Sequence, residues 1–157
     1  MDARLHHVNR HEAMPSFVIG GEERERVVVQ VHRYERAPVG EYFDDNWVRA
    51  EVFVSVGSFS GEYTAAFLTS DFMGFREELR ALHQSLAGKA TFSTLEEQLS
   101  LELTGNGRGG IALAGVAADA PGSGNQLKFE LELDQSHLPS VLKGLDEILR
   151  QYPPRVG

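Results

Sequence analysis

The feature that most restricts the fold of this chain is the alternation of side-chain character in residues 48–56. One parity of this stretch is entirely apolar and comprises Val48, Ala50, Val52, Val54 and Val56. A period of two is typical of a β-strand with one buried face. The only tryptophan, Trp47, stands at the start of the stretch, directly after residues 44–46, which favour a turn. We therefore predict a core strand here.

Other segments of the chain have the alternation or the β-branched composition of strands. They are residues 16–20, 26–35, 62–69, 90–95, 98–104, 111–118 and 127–134. Short connections that contain glycine join several neighbouring strands, at residues 57–61, 105–110 and 120–125. Connections of this length favour antiparallel pairing, because a parallel crossover needs about a dozen residues or more.

Two segments have the period of an amphipathic helix. In residues 72–86 apolar side chains recur three or four positions apart, with Ser70 or Asp71 placed to cap the start and Gly88 to cap the end. A second apolar stripe runs through residues 138–152. The predicted fold class is therefore α+β, with one antiparallel meander sheet and two amphipathic helices packed on one of its faces.

The domain organisation follows from the same patterns. Residues 1–15 show no regular period and are predicted to form a loose arm, and residues 16–157 are predicted to form a single domain. A hydrophobic content of 41% in 157 residues suits one globular domain. Each half of that domain is predicted to be a meander closed by a helix, although no residue-level repeat is visible.

Composition limits the partners that we expect. Aspartate and glutamate outnumber lysine and arginine by 23 to 15, for a formal charge of −8. Such a field repels nucleic acid and anionic membrane surfaces and attracts basic partners, although on charge alone the simpler interpretation is that the excess keeps a small protein soluble. The chain has no cysteine, which fits a reducing compartment, and no apolar run approaches the ~20 residues that span a bilayer. We expect a cytoplasmic protein that binds neither nucleic acid nor membranes.

Candidate chemical motifs in the chain are few. His6, His7 and His11 would bind a divalent metal only if the arm became helical, and no glutamate completes a metalloprotease pattern. The glycine-rich residues 105–110 and 122–124 join strand to strand, so they are predicted to be hairpin turns rather than phosphate loops. We predict no catalytic residue, no metal site and no cofactor.

The order of segments in residues 46–153 carries a family resemblance. Asp45 and Trp47 lead into the valine-rich strand, a helix with a following strand comes next, and Asp134 and Gln135 begin the step from the last strand into the last helix. This order resembles the WapI-type immunity proteins and their bacterial relatives. The resemblance implies a small cytoplasmic protein without catalysis, which binds and neutralises a cognate toxin domain delivered by contact-dependent competition. A basic, nuclease-like toxin domain would suit the negative charge.

For a binding surface we select the acidic loop ahead of the core strand. Its candidate residues are Glu41, Tyr42, Phe43, Asp44 and Asp45. Loops that expose aromatic side chains beside charges are where binding energy concentrates. The competing interpretation is that Tyr42 and Phe43 fold back onto the core.

Two other functions stay open on the sequence. The first is a structural or regulatory domain that forms a homodimer by burying an edge strand. The second is a small-molecule binder or a hydrolase that uses paired carboxylates in a pocket. An exposed aromatic and acidic patch would favour the protein-binding function over both.

Overall fold

The computed structural model describes residues 14–22 and 25–155. The predicted arm therefore falls almost wholly outside the described residues, as do His6, His7 and His11. The strands are β1 (Ser16–Glu22), β2 (Glu25–Tyr34), β3 (Trp47–Val56), β4 (Phe59–Leu68), β5 (Ala87–Phe92), β6 (Leu99–Asn106), β7 (Gly110–Ala118) and β8 (Gln126–Asp134). The helices are α1 (Tyr42–Asp45), α2 (Thr69–Ser85) and α3 (Leu138–Gln151), with a 3-10 turn at Gln135–His137.

The strands of the described chain form two antiparallel sheets of four strands each. Sheet 1 has the order β1-β2-β3-β4, and sheet 2 has the order β5-β6-β7-β8. The α+β class, the meander topology and the two amphipathic helices are confirmed. The single predicted sheet is instead divided, because α2 separates β4 from β5 and each run of hairpins closes a sheet of its own.

Strand β3 lies inside sheet 1 and behaves as its alternation predicts. Its apolar parity is buried, comprising Val48, Ala50, Val52, Val54 and Val56. In the register of the sheet, Val52 pairs with Val29 of β2 and with Tyr63 of β4. Complete burial of an aliphatic side chain of this kind contributes about 1.5–3 kcal/mol. The strand is therefore a main source of core stability.

A cluster of phenylalanines joins the two sheets in one continuous core. The Phe92 ring of β5 lies 5.8 Å from the ring of Phe17 in β1 and 5.3 Å from the ring of Phe67 in β4. Phe72 and Phe75 of α2 each lie 5.5 Å from the same ring. Aromatic pairs at such separations add about 0.5–1.5 kcal/mol beyond area burial. Both sheets and α2 thus share one apolar centre.

The two long helices pack on each other and on opposite sheets, α2 beside β5 and α3 beside β1. An ion pair of 2.6 Å between Arg76 and Asp146 joins them at the surface. Gly144 lets α3 approach β1 closely, since a Cβ at this position would lie 2.4 Å from the carbonyl oxygen of Ser16. The helices therefore pack beside the edge strands β5 and β1 of two sheets rather than on one face of a single sheet.

The helix ends differ in detail from the prediction. At the start of α2, the Asp71 carboxylate accepts a hydrogen bond of 2.9 Å from the backbone N–H of Leu68. The residue just after α2 is Leu86, and it adopts the left-handed conformation (φ +64°) that was expected of Gly88. The 3-10 turn that leads into α3 is capped by Asp134, which accepts from the backbone N–H of Ser136 at 2.8 Å.

Candidate functional site

The loop between β2 and β3 presents a group of exposed apolar side chains. We call residues 37–46 the aromatic loop. Val39 is 65% exposed, Tyr42 43% and Phe43 63%. The Tyr42 and Phe43 rings contact each other edge to face, with their centroids 5.6 Å apart. The interpretation that these two rings fold back onto the core is wrong.

Asp45 anchors the aromatic loop from within. Its side chain is 2% exposed and accepts hydrogen bonds from the backbone N–H groups of Val39 at 2.8 Å and Gly40 at 2.9 Å. The bond from Val39 is the main reason that the pKa of Asp45 lies below its ordinary value, and the Arg155 guanidinium acts in the same direction. Burial opposes the shift. Asp45 is thus an internal support of the loop, while the other four candidate residues are exposed.

Asn46 fixes the end of the aromatic loop to the carboxy-terminal segment. The residue is completely buried. Its Nδ2 donates to the carbonyl oxygen of Tyr42 at 2.7 Å and to that of Arg155 at 3.0 Å. Its Oδ1 accepts from the backbone N–H of Arg155 at 2.6 Å. One amide side chain therefore holds together two segments that are far apart in the sequence.

The carboxy-terminal segment is itself held by aromatic contacts. The Tyr34 hydroxyl donates to the carbonyl oxygen of Pro153 at 2.5 Å, and the Tyr34 ring packs against Tyr152 at 5.2 Å between centroids. The Arg155 guanidinium lies 3.4 Å from the centre of the Tyr34 ring and donates to the carbonyl oxygen of Arg36 at 3.1 Å. A cation over an aromatic face is attracted by the ring quadrupole. The scaffold beneath the aromatic loop is thus built from the end of β2 and the carboxy-terminal segment.

Charge in the aromatic loop is divided between its surface and its interior. Glu41 and Asp44 are exposed beside the two aromatic rings. Asp45, in contrast, has its carboxylate satisfied by backbone donors. Two carboxylates and three apolar side chains therefore face solvent within one short segment. This arrangement can bind an apolar surface rimmed by basic groups.

The other predicted features have structural roles. The glycine-rich residues 105–110 and 120–125 connect β6 to β7 and β7 to β8, as hairpin turns should. Glu130 and Glu132 face solvent, as their alternation predicts. Burial raises the pKa of Asp71 to about 6, but this carboxylate caps α2 by accepting from the backbone N–H of Leu68.

Metal binding and membrane crossing find no structural counterpart in residues 14–22 and 25–155. Within these ranges, no three histidine, aspartate or glutamate side chains come together as a metal site would require. None of the helices in the same part of the chain combines the length and the apolar character that a membrane span needs.

Sequence reasoning missed three residues of this site. Val39 had no periodic context, and Asn46 and Arg155 interact across a separation of 109 positions. The signal for Asn46 was present, since a polar residue directly before a buried strand needs hydrogen-bond partners. Nothing local in the sequence indicates that the partner is Arg155.

Comparison with solved structures shows what this fold is similar to. The chain resembles the crystal structure of MRP1/MRP2 from Trypanosoma brucei, with a TM-score of 0.51 and 9% sequence identity. The similarity covers 94% of this chain and 91% of that one. At this identity the likeness concerns the fold alone.

Comparison with protein families gives a closer relationship. None of the curated proteins matches the chain. Residues 18–153 match the Immunity protein WapI-like family. The match confirms the resemblance carried by residues 46–153 and extends it towards the amino terminus through β1 and β2. The chain belongs to the Immunity protein WapI-like family.

Proposed function

We propose that this protein binds and neutralises a cognate toxin domain through the aromatic loop, without catalysis of its own. Membership of an immunity protein family supports a role in neutralisation. The partner in this proposal is a basic protein domain, and the contact is made by Val39, Tyr42 and Phe43 with the flanking carboxylates.

The observation that carries the proposal is the exposure of three apolar side chains on a firmly held loop. Single exposed apolar residues are normal, but a group of them rimmed by polar residues marks an interaction site. Asp45 and Asn46 fix the loop through five hydrogen bonds to backbone groups. A loop that is ordered before binding loses less conformational entropy when the partner arrives.

The charge of the protein supports a basic partner. The formal charge is −8, and Glu41 and Asp44 stand beside the exposed rings. Complementary charge raises the association rate and selects among partners, whereas buried aromatic anchors supply most of the affinity. We therefore expect association to slow at high salt while the aromatic contact persists.

The test uses two phenylalanines of nearly equal exposure. Phe43 lies in the aromatic loop at 63% exposure, and Phe59 lies at the β3–β4 hairpin at 66%. Tagged protein captures partners from lysate of its source cells, and each captured toxin-like domain is then purified and titrated by calorimetry. We expect Phe43→Ala to weaken binding by at least about 2 kcal/mol, or roughly 30-fold, as loss of an aromatic hot spot does. The control Phe59→Ala should bind like the wild type.

A growth assay connects binding to neutralisation. Cells that express the identified toxin domain should survive with the wild type or Phe59→Ala, and should lose protection with Phe43→Ala. Equal protection and equal affinity for Phe43→Ala and the wild type would refute the aromatic loop as the site.

Self-association is the competing use of the same surface. Sedimentation of the wild type and of Phe43→Ala separates the two functions, because a homodimer formed by the loop would dissociate in the variant. A stable wild-type dimer that Phe43→Ala converts to monomer would favour self-association through the aromatic loop over binding of a toxin domain.

A further inference from the structure

The outer face of sheet 2 contains a groove whose floor is the middle strand β7. Outward-facing positions on β7 carry short apolar side chains, whereas those on β6 and β8 are all polar and four of the six are long. The floor residues are Ala112, Ala114 and Val116, the β6 rim residues are Ser100, Glu102 and Thr104, and the β8 rim residues are Lys128, Glu130 and Glu132. We call this feature the sheet-2 groove. The alanine side chain is a single methyl group, so Ala112 and Ala114 leave a floor that is apolar and lies below the rims. Two alanines on one solvated strand face are unusual, since alanine is depleted in strands.

The dimensions of the sheet-2 groove suit a single helix. One hollow in it has a volume of about 690 Å³ and extends from Thr91 and Ser93 across β7 to Lys128 and Glu130. Smaller hollows of about 270 and 210 Å³ continue it towards Gly110. The rim strands β6 and β8 lie two inter-strand spacings apart, so the groove is ~10 Å wide. It runs along six residues of β7 and is therefore ~20 Å long. An α-helix is about 10 Å wide, and ~13 of its residues span that length.

Charge determines which helix would fit. The register places Glu102 of β6 and Glu130 of β8 on opposite sides of Ala114. Glu132 extends the β8 rim in the next row, beside Ala112. Lys89 pairs with Glu102 at 3.5 Å, so the end of the groove at Ala112 and Ala114 keeps a net negative charge. Lys128 stands at the other end, opposite Val116.

We propose that the sheet-2 groove binds an α-helix of a partner protein, with small apolar residues on the face that meets β7 and lysine or arginine along both flanks. The inference relies on the proposed function only in taking the partner to be a basic toxin domain. In that complex the groove provides a second contact, separate in sequence from the aromatic loop.

The probe for the experiment is a synthetic 14-residue peptide, acetylated and amidated, with alanine on one helical face and lysine on both flanks. It is titrated into the ¹⁵N-labelled full-length protein while amide chemical shifts are recorded. We expect the shift changes to concentrate in β6, β7 and β8. Glu130→Gln should weaken binding about two- to fivefold, as loss of one exposed ion pair does.

A filled groove provides the sharper test. Ala114→Gln places a longer neutral side chain on the floor, and we expect at least a tenfold loss of affinity. The matched control is Ala66→Gln on the outer face of sheet 1, where Ala66 pairs with Arg49, and it should bind the peptide like the wild type. Both variants must keep the amide dispersion of the folded wild type.

Three results would overturn the inference. The first is an absence of shift changes in β6–β8 at millimolar peptide. The second is equal affinity of Ala114→Gln and the wild type for the peptide, which would indicate nonspecific electrostatic binding outside the groove. The third is equal binding of a peptide of the same composition whose helix is broken by central prolines.

Phe43→Ala separates this inference from the proposed function. The variant should bind the peptide normally, so failure of the groove leaves the aromatic loop proposal standing. A variant that lost both the toxin domain and the peptide would instead place the peptide at the aromatic loop and refute the groove.

Discussion

Replacement of Asn46 by alanine should destabilise the protein more than any surface change of similar size. The side chain is fully buried and makes three hydrogen bonds, two to Arg155 and one to Tyr42. A hydrogen bond of this kind contributes about 1 kcal/mol net, and each backbone group left unpaired in a buried position costs about 1–3 kcal/mol. We therefore expect Asn46→Ala to lower the free energy of unfolding by about 3 kcal/mol.

Denaturation by urea and by heat measures this loss. In a domain of this size 1 kcal/mol shifts the melting temperature by about 2–4 °C, so the variant should melt roughly 6–12 °C lower. The control is Asn106→Ala, since Asn106 is exposed and its Oδ1 accepts from the backbone N–H groups of Arg108 and Gly110. Water can replace those bonds, so the control should lose about 1 kcal/mol or less.

The same variant tests whether order in the aromatic loop matters for binding. Loss of the Asn46 bonds frees the carbonyl of Tyr42, and the loop should then sample more conformations. We expect Asn46→Ala to bind the proposed toxin partner more weakly even at temperatures where the variant is fully folded, mainly through faster dissociation. A stability loss below 1 kcal/mol, or one equal to that of Asn106→Ala, would refute the anchoring role of Asn46.

Periodic patterns predicted the strands and helices of this fold because one face of each is buried. The alternation in β3 and β8 and the apolar stripes of α2 and α3 all report that face. A period does not report which strand lies next to which. The division into two sheets depends on β5 pairing with β6 alone and not also with β4, and the alternation within each strand is the same in either case.

The candidate loop could be located in the sequence but not oriented. Composition predicts residues 41–45 as a candidate binding surface, yet a loop without a period does not show which side chains face inward. Asp45 settles the orientation, because its bonds to Val39 and Gly40 turn the chain and leave Tyr42 and Phe43 exposed. Such contacts depend on backbone geometry that the residue types alone do not determine.

Two further substitutions test the packing and the electrostatics of the core. Gly115→Ala should lower the free energy of unfolding by about 1–3 kcal/mol, because the new Cβ would lie 2.3 Å from the Phe129 ring. Urea denaturation measures the loss, and an unchanged midpoint would contradict it. Burial raises the pKa of Asp71 in the folded protein to about 6. Between pH 4 and pH 6 the unfolded chain has therefore lost the Asp71 proton while the folded protein still holds it. The free energy of unfolding consequently falls as the pH rises through this range. Asp71→Asn keeps an oxygen for the N–H of Leu68 and should therefore gain about 1–2 kcal/mol relative to the wild type between pH 4 and pH 7, after allowance for partial exposure. A difference between Asp71→Asn and the wild type that stays constant from pH 4 to pH 7 would show that the Asp71 carboxylate is ionised throughout, with its helix-capping bond outweighing its burial.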